Sequence, residues 1–448
     1  MTIALRRLDT DAFRGLIKER DRGGFAQPQL DDAAAARLTE LFGERVTVVD
    51  AVRRIVADVR DRGDGAVREW TARLDGVDVA DTRLPRAHLR ESFENLEPGL
   101  RNSLVAAAQR IREFHEHQRD TGNRGTNSAY LRPEPLRRAG CYVPGGRAAY
   151  PSTLLMSVIP AQVAGVASIA VCSPPAPSTA VHPLVSAAAE LLGVRELHAI
   201  GGAQAIAALA YGTESVARVD KVVGPGNAFV TLAKREVFGA VGIDQLAGPT
   251  EILVIASTGA DADLIAADLV SQLEHDPLAW AICLTDDARV AAAVGEGFAV
   301  AAEAAARSDV ISAAAGAHAV VVTCASLEDA LELSNGFAPE HLSLQGAAAE
   351  ALRDSPSTAG AVFVGAFSPV SIGDYIAGPN HTLPTQGAAR YRGPLSVQDF
   401  VRWPSVVQLD AAEFELLAPV AGALADAEGL HAHGTAIRAR LRAPEVSG

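Results

Sequence analysis

The chain carries no excess of positive charge: 40 Lys and Arg stand against 54 Asp and Glu, a formal net charge of -14 over 448 residues. A surface of that sign offers nothing to a nucleic-acid backbone or an anionic membrane, which excludes both as non-specific partners and favours a small molecule. Cysteine is scarce. Cys141, Cys172, Cys283 and Cys324 are widely spaced, form no CxxC and match no zinc-finger spacing, so they read as reduced core residues rather than a disulfide scaffold. Met1 to Leu16 alternates charged and apolar residues and lacks the apolar core of a signal peptide; the expectation is a cytoplasmic protein. A membrane span is also missing. The charge-free stretch Ala148 to Ala189 is broken by Pro160, Gln162 and Pro174-Pro175, which fits buried α/β structure better than lipid. No solenoid-type repeat is visible. The dinucleotide fingerprint fails too, because Gly224-x-Gly226 has Phe229 where a third small residue belongs.

What is present is a folded composition, 48% hydrophobic and 21% charged, long enough for roughly two or three compact units. The first part reads as helices, with Val48, Val52, Ile55, Val56 and Val59 at helical spacing and a second helix from Asn102 to Glu116. His115 and His117 fall on different sides of that helix, and the triplet they form with Glu116 reads as exposed. From Gly140 onward, apolar runs alternate with helical segments: Ser168 to Cys172, Glu196 to Ile200, Lys221 to Val223, Glu251 to Ile255, Trp280 to Leu284, Ala319 to Thr323, His341 to Leu344 and Ala361 to Val364. This is the pattern of parallel sheets covered by helices, with a break near Gly248-Pro249 and sites expected at the C-terminal ends of strands. Ala411 to Arg442 reads as one or two helices outside the sheets.

Several constellations carry chemistry. Glu340-His341 sits on a Pro-marked turn between a helix, capped by Ser326 with Asp329 three residues on and stopping at Asn335-Gly336, and a short strand. That is a place for acid/base work, against the bland reading of a solvated turn. Three Gly-rich turns, Tyr142-Val143-Pro144-Gly145-Gly146, Gly201-Gly202-Ala203-Gln204 and Gly224-Pro225-Gly226-Asn227, let backbone approach a nucleotide closely, though each alone is an ordinary turn. On the helix Asp261 to His275, Gln272 falls within the apolar stripe and His275 follows three residues later. The two either share a metal, or are a buried amide beside a C-capping histidine. A Gly/Pro loop carries Asp374 and His381, and the C-terminal run holds Glu428, His431 and His433.

In order along Arg138 to His433, the motifs YVPGG, GGAQAIAALAYGTES, VDKVVGPGNAFVTLAKR, AGPTEILVIA, SQLEHDPLA, FAPEHL, GDYIAGPNHTLPT and EGLHAH resemble the histidinol dehydrogenase family. The resemblance implies an α/β fold of two Rossmann-like parallel-sheet domains with small N- and C-terminal extensions, assembled as an intertwined homodimer. It places an N-terminal extension at 1–37, a first Rossmann-like domain with the metal and catalytic residues at 38–141 and 251–390, a second with the NAD contacts at 142–250, and a C-terminal dimerisation segment at 391–448. It implies oxidation of L-histidinol to L-histidine through L-histidinaldehyde with two NAD, the last steps of histidine biosynthesis. One Zn²⁺ per subunit would be held by Gln272, His275, Asp374 and the partner subunit's His433; Glu340 and His341 would be catalytic, and Tyr142, Gln204 and Asn227 would contact NAD. Substrate contacts would fall on Thr250, Gln272, His275, His341, Asp374, Glu428 and His433, with His381 and His431 structural. His341 would take the alcohol proton and Glu340 activate water. Thr250 departs from the Ser usual in the family, keeping the hydroxyl. Oxidation of another polar alcohol, or a non-catalytic binding role, are the alternatives; Glu428, suited to a substrate ammonium, favours histidinol.

Overall fold

The computed structural model describes residues 3–23, 32–145, 149–176, 181–355 and 358–441. Gly146, at the end of the first glycine-rich turn, lies outside them. By compactness the chain forms two units, one of Met1–Arg119 with Leu136–Phe400 and another of Asp120–Pro135 with Val401–Gly448.

The larger unit is built on two parallel sheets. Its strands are β1 (Arg6–Leu8), β2 (Arg138–Tyr142), β3 (Ser168–Ser173), β4 (Glu196–Ala199), β5 (Lys221–Val223), β6 (Gly242–Ile243), β7 (Glu251–Ala256), β8 (Trp280–Thr285), β9 (Ala319–Thr323), β10 (His341–Gln345) and β11 (Ala361–Val364). One sheet has the order β4-β3-β2-β5-β6 and the other β1-β9-β8-β7-β10-β11. All eight expected runs are strands, and the break near Gly248-Pro249 separates the sheets, except that β1 returns to the second as an edge strand paired with β9.

The β7 sequence EILVIA is buried along its whole length, because both faces of its sheet are covered. Ile252 and Val254 pack with the helix α5 (Ala262–Leu273), while Leu253 and Ile255 pack with α1 (Thr10–Gly23) and α6 (Leu327–Phe337). Successive strand side chains point to opposite faces, so one apolar run feeds two cores.

The helices of 38–141 pack differently from the expected grouping with 251–390. The stripe Val48, Val52, Ile55 and Val59 of α2 (Val48–Arg62) joins the core of the five-stranded sheet, against α3 (Gly202–Tyr211) and α4 (Ala228–Val237). Conversely, α1 of the expected N-terminal extension buries Phe13 against the six-stranded sheet's core. A stripe shows that a helix face must be buried, not which sheet will bury it. The reading of the His115 triplet also needs correction. His115 is 0% exposed, its Nδ1 bonded to the Ile111 carbonyl at 2.8 Å and its Nε2 3.4 Å from Asn380 Nδ2.

The smaller unit contains short antiparallel pairs, Ala129–Leu131 with Arg124–Gly125 and Ser405–Val407, and Glu134–Pro135 with Val401–Arg402. It also holds helices α8 (Ala411–Ala427) and α9 (His431–Arg440), in the stretch where one or two were expected. Among the described residues no helix is long and apolar enough to cross a membrane.

Candidate active site

The turn into β10 is shaped by what ends α6. Ser326 accepts from the Asp329 backbone N–H at 3.2 Å, as its spacing predicts. The helix runs past Asn335-Gly336 to Phe337, and Ala338 takes a left-handed φ of 53°, a conformation that costs an L-residue about 1 kcal/mol. Pro339 follows, and Glu340 and His341 are buried, 7% and 4% exposed.

Neighbouring β7 organises both side chains. Glu340 Oε2 accepts from the Thr250 hydroxyl at 2.5 Å and from the Glu251 backbone N–H at 2.9 Å. His341 Nδ1 lies 2.9 Å from the Glu251 carbonyl. A carbonyl only accepts, so Nδ1 carries the proton and Nε2 presents a lone pair. Burial pushes the Glu340 carboxyl up to about 8. The same desolvation holds the His341 ring below its ordinary range, which makes it a neutral acceptor near pH 7.

The expected metal donors gather at the end of α5 and on α7 (Val370–Tyr375). Gln272, 3% exposed, donates through Nε2 to Thr250 Oγ1, which leaves its Oε1, the atom a cation would use, without a hydrogen bond. Neither the His275 ring nor the Asp374 carboxylate has a hydrogen-bond partner among the described residues. Burial raises the Asp374 carboxyl, with His341 and His275 pulling the other way. Burial lowers His275, with Asp374 opposing. Asp374 stands on a short helix rather than in the expected loop, and its backbone carbonyl accepts from His381 Nδ1 at 2.9 Å. An amide oxygen, an imidazole and a carboxylate are a fitting donor set for Zn²⁺. No group of three His, Cys, Asp or Glu is assembled among the described residues. The other expected ligand, His433, and Glu428 lie in the smaller unit, at the start of α9 and the end of α8, both exposed.

The glycine-rich turns form a different kind of place. They follow β2, β4 and β5 and lead, in the last two cases, into the N-termini of α3 and α4. Tyr142 is buried, its hydroxyl accepting from the Gly202 backbone N–H at 3.1 Å. Gln204 is 0% exposed, its Nε2 3.3 Å from Asp75 Oδ2. Asn227 is exposed and caps α4, Oδ1 accepting from the N–H groups of Phe229 at 3.0 Å and Val230 at 3.2 Å, so only its amide NH₂ remains for a ligand. Gly224 has φ 116°, and a side chain there would collide with the Tyr142 carbonyl. At such a turn the backbone itself is the accessible surface.

Sequence reasoning overlooked Glu251. Fully buried, it uses its N–H and C=O to hold Glu340 and His341, and its Oε2 accepts from the Glu340 N–H at 3.2 Å. A signal was available, since an acid opening an otherwise apolar strand needs a specific partner.

Two parallel sheets covered by helices, with glycine turns on one and a buried acid–imidazole pair on the other, define an α/β protein of the doubly wound class. The sequence profile of the family Histidinol dehydrogenase matches residues 43–441. The histidinol dehydrogenase of Parasynechococcus marenigrum is 47% identical over 419 residues, covering 92% of this chain and 96% of the relative. That of Methanothermobacter thermautotrophicus is 42% identical, with 91% and 97% covered. The crystal structure of histidinol dehydrogenase from Elizabethkingia anophelis superposes with a TM-score of 0.87 at 31% identity, covering 98% of each chain. The chain belongs to the histidinol dehydrogenase family and is an oxidoreductase.

Proposed function

We propose that the chain oxidises L-histidinol to L-histidine through L-histidinaldehyde, using two NAD and one Zn²⁺ per subunit, in the cytoplasm. The observation that carries this reading is the Glu340–His341 pair, in which His341 is held with Nε2 free and Glu340 rests on Thr250 and Glu251. Gln272, His275 and Asp374, with the partner subunit's His433, would hold the zinc. Bound there, the metal would orient the substrate's imidazole and amine. Tyr142, Gln204 and Asn227 would line the NAD site, where the dinucleotide accepts one hydride in each oxidation.

The residues then divide the work. His341 Nε2 takes the hydroxyl proton as the carbinol C–H leaves as hydride, giving the aldehyde. Glu340, once ionised, draws a proton from water as the water adds to the aldehyde carbonyl. The hydrate so formed loses the second hydride and becomes the carboxylate, its new oxygen coming from that water. Thr250 keeps Glu340 and Gln272 in register, since its hydroxyl donates to the first and accepts from the second. Glu428 would meet the substrate ammonium.

A homodimer with shared sites belongs to the same reading. Along α8, Leu416, Val420 and Leu424 are 75%, 62% and 60% exposed. They recur every fourth residue as one stripe, a face suited to a second copy of the chain.

The test is NAD reduction on histidinol by purified, zinc-loaded protein, with metal content measured on the same sample. Turnover lost on chelation and restored by zinc is expected; full turnover with no bound metal would refute the zinc site. Mixing inactive His275→Ala and His433→Ala chains should recover activity, and no recovery after proven subunit exchange would refute the shared site.

A further inference from the structure

The turn presenting Glu340 and His341 is gripped from behind by a cation that the chemistry above does not use. Arg20, near the end of α1, has only 5% of its side chain exposed, and its Nη1 lies 3.1 Å from Oε1 of the fully buried Glu251. That carboxylate also accepts the backbone N–H groups of Glu340 at 3.2 Å and Gln386 at 3.1 Å. The Arg20 guanidinium stacks 3.7 Å from the Phe337 ring centroid and donates to the Phe337 carbonyl. Beside it, Arg390 donates to the Gly336 carbonyl, and Asp21 bridges the two arginines at 3.1 Å each. Cations thus meet the last carbonyls of α6, where the helix dipole favours them.

We infer that Arg20 is a positioning residue for the reaction: through Glu251 and the Phe337 carbonyl it holds both ends of the turn that carries Glu340 and His341. The inference rests on the function proposed above. A buried carboxylate facing a single guanidinium becomes an uncompensated charge when that partner is removed, and takes up a proton instead. Protonated, Glu251 is a weaker acceptor for the Glu340 N–H, and the backbone groups that aim Glu340 and His341 lose their anchor. The direction of the Glu251 shift agrees, burial raising its carboxyl to about 7 with Arg20 opposing. α1 is also seated by Phe13, which is 0% exposed and stacks on Phe337 at 6.1 Å.

The test compares Arg20→Met, Arg20→Lys and wild type as full-length, zinc-loaded protein. Arg20→Met should lower kcat on histidinol about 10- to 100-fold, the scale for loss of a group that orients a reacting residue. KM for NAD should not move, since the NAD contacts lie on the other sheet. Amide exchange over 337–342 should quicken, and Arg20→Lys, which keeps the charge without the fork, should recover part of kcat. Wild-type kcat in a folded Arg20→Met protein would overturn the inference. If Arg20→Met does not fold, Arg20→Lys decides: a lower kcat at unchanged melting temperature supports it, and wild-type kcat overturns it. Absence of turnover in wild type would instead overturn the proposed function, and the inference with it.

Discussion

The two parallel sheets present opposite edges, with opposite chemistry. On the five-stranded sheet the C-terminal ends of β2, β4 and β5 run into glycine turns, and α3 and α4 point their N-termini there. On the six-stranded sheet Glu251, Glu340 and His341 stand at the N-terminal ends of β7 and β10, where α5, α6 and α7 finish. Helix N-termini carry partial positive charge and free N–H groups, which suit a dinucleotide's phosphates. Helix C-termini carry the opposite sign and suit a cation such as a metal or a substrate ammonium. A buried ion pair stands at each edge. The first edge engages its Lys234–Asp244 pair inside the Gly224 turn, Lys234 donating to the Gly224 carbonyl at 2.9 Å and Asp244 accepting its N–H at 2.7 Å. The second engages Arg20 with Glu251, while among the described residues the His275 ring, the Asp374 carboxylate and the Gln272 oxygen have no hydrogen-bond partner.

The division is broken most severely at His341. Replacing it with Asn should slow alcohol oxidation by about 10²- to 10⁴-fold, the usual scale for losing a general base, while NAD affinity measured by calorimetry stays unchanged. A matching loss of NAD affinity would mean the two edges are not independent.

Glu340→Gln keeps the shape and removes the second base. Single turnovers from histidinaldehyde should slow by on the order of 10²-fold, more than those starting from histidinol. Because the Glu340 carboxyl is raised to about 8 and must be ionised to act, wild-type aldehyde oxidation should rise with pH through that value, and the variant should lose the rise. Equal slowing of both steps would make Glu340 a residue that positions His341.

A third change weighs buried charge against stability. Asp268, one turn before Gln272 on the same side of α5, is buried, and burial alone lifts its carboxyl from 3.8 to about 6. The unfolded chain ionises first, so the cost to the fold is absent below the lower value, grows between the two and is complete above the higher. In metal-free protein Asp268→Asn should therefore raise stability by up to about 3 kcal/mol at pH 7.5 and leave it unchanged at pH 3.5, read from denaturant midpoints. A gain equal at both pH values would mean that packing, not charge, is responsible.

The smallest effect is expected at the glycine-turn edge. Asn227→Ala removes the cap of α4, costing about 1 kcal/mol, and should weaken NAD several-fold without altering bound zinc. Loss of zinc in this variant would merge what the comparison separates.

Much of this was legible in the chain. Short apolar runs ending in turn residues announced the strands, and Ser326 announced the start of α6. These are local signals, set by dihedral preference and side-chain period. The domain grouping was not legible, because α2's valine stripe states only that it must be covered. Nor was His115, polar in sequence but matched to the Ile111 carbonyl and Asn380 in space.

By itself, the sequence determined which segments form strands and helices, where the glycine turns fall, and that an acid and an imidazole stand together on the turn before β10. Only the tertiary structure decided that β7 serves β10, that Glu251 directs its N–H, its C=O and its carboxylate to the Glu340–His341 pair, and that Arg20, 231 residues away in sequence, meets it. The reason is physical: the state of a buried charge is set by whichever partners the fold brings within about 3 Å, and chain neighbours do not specify those partners.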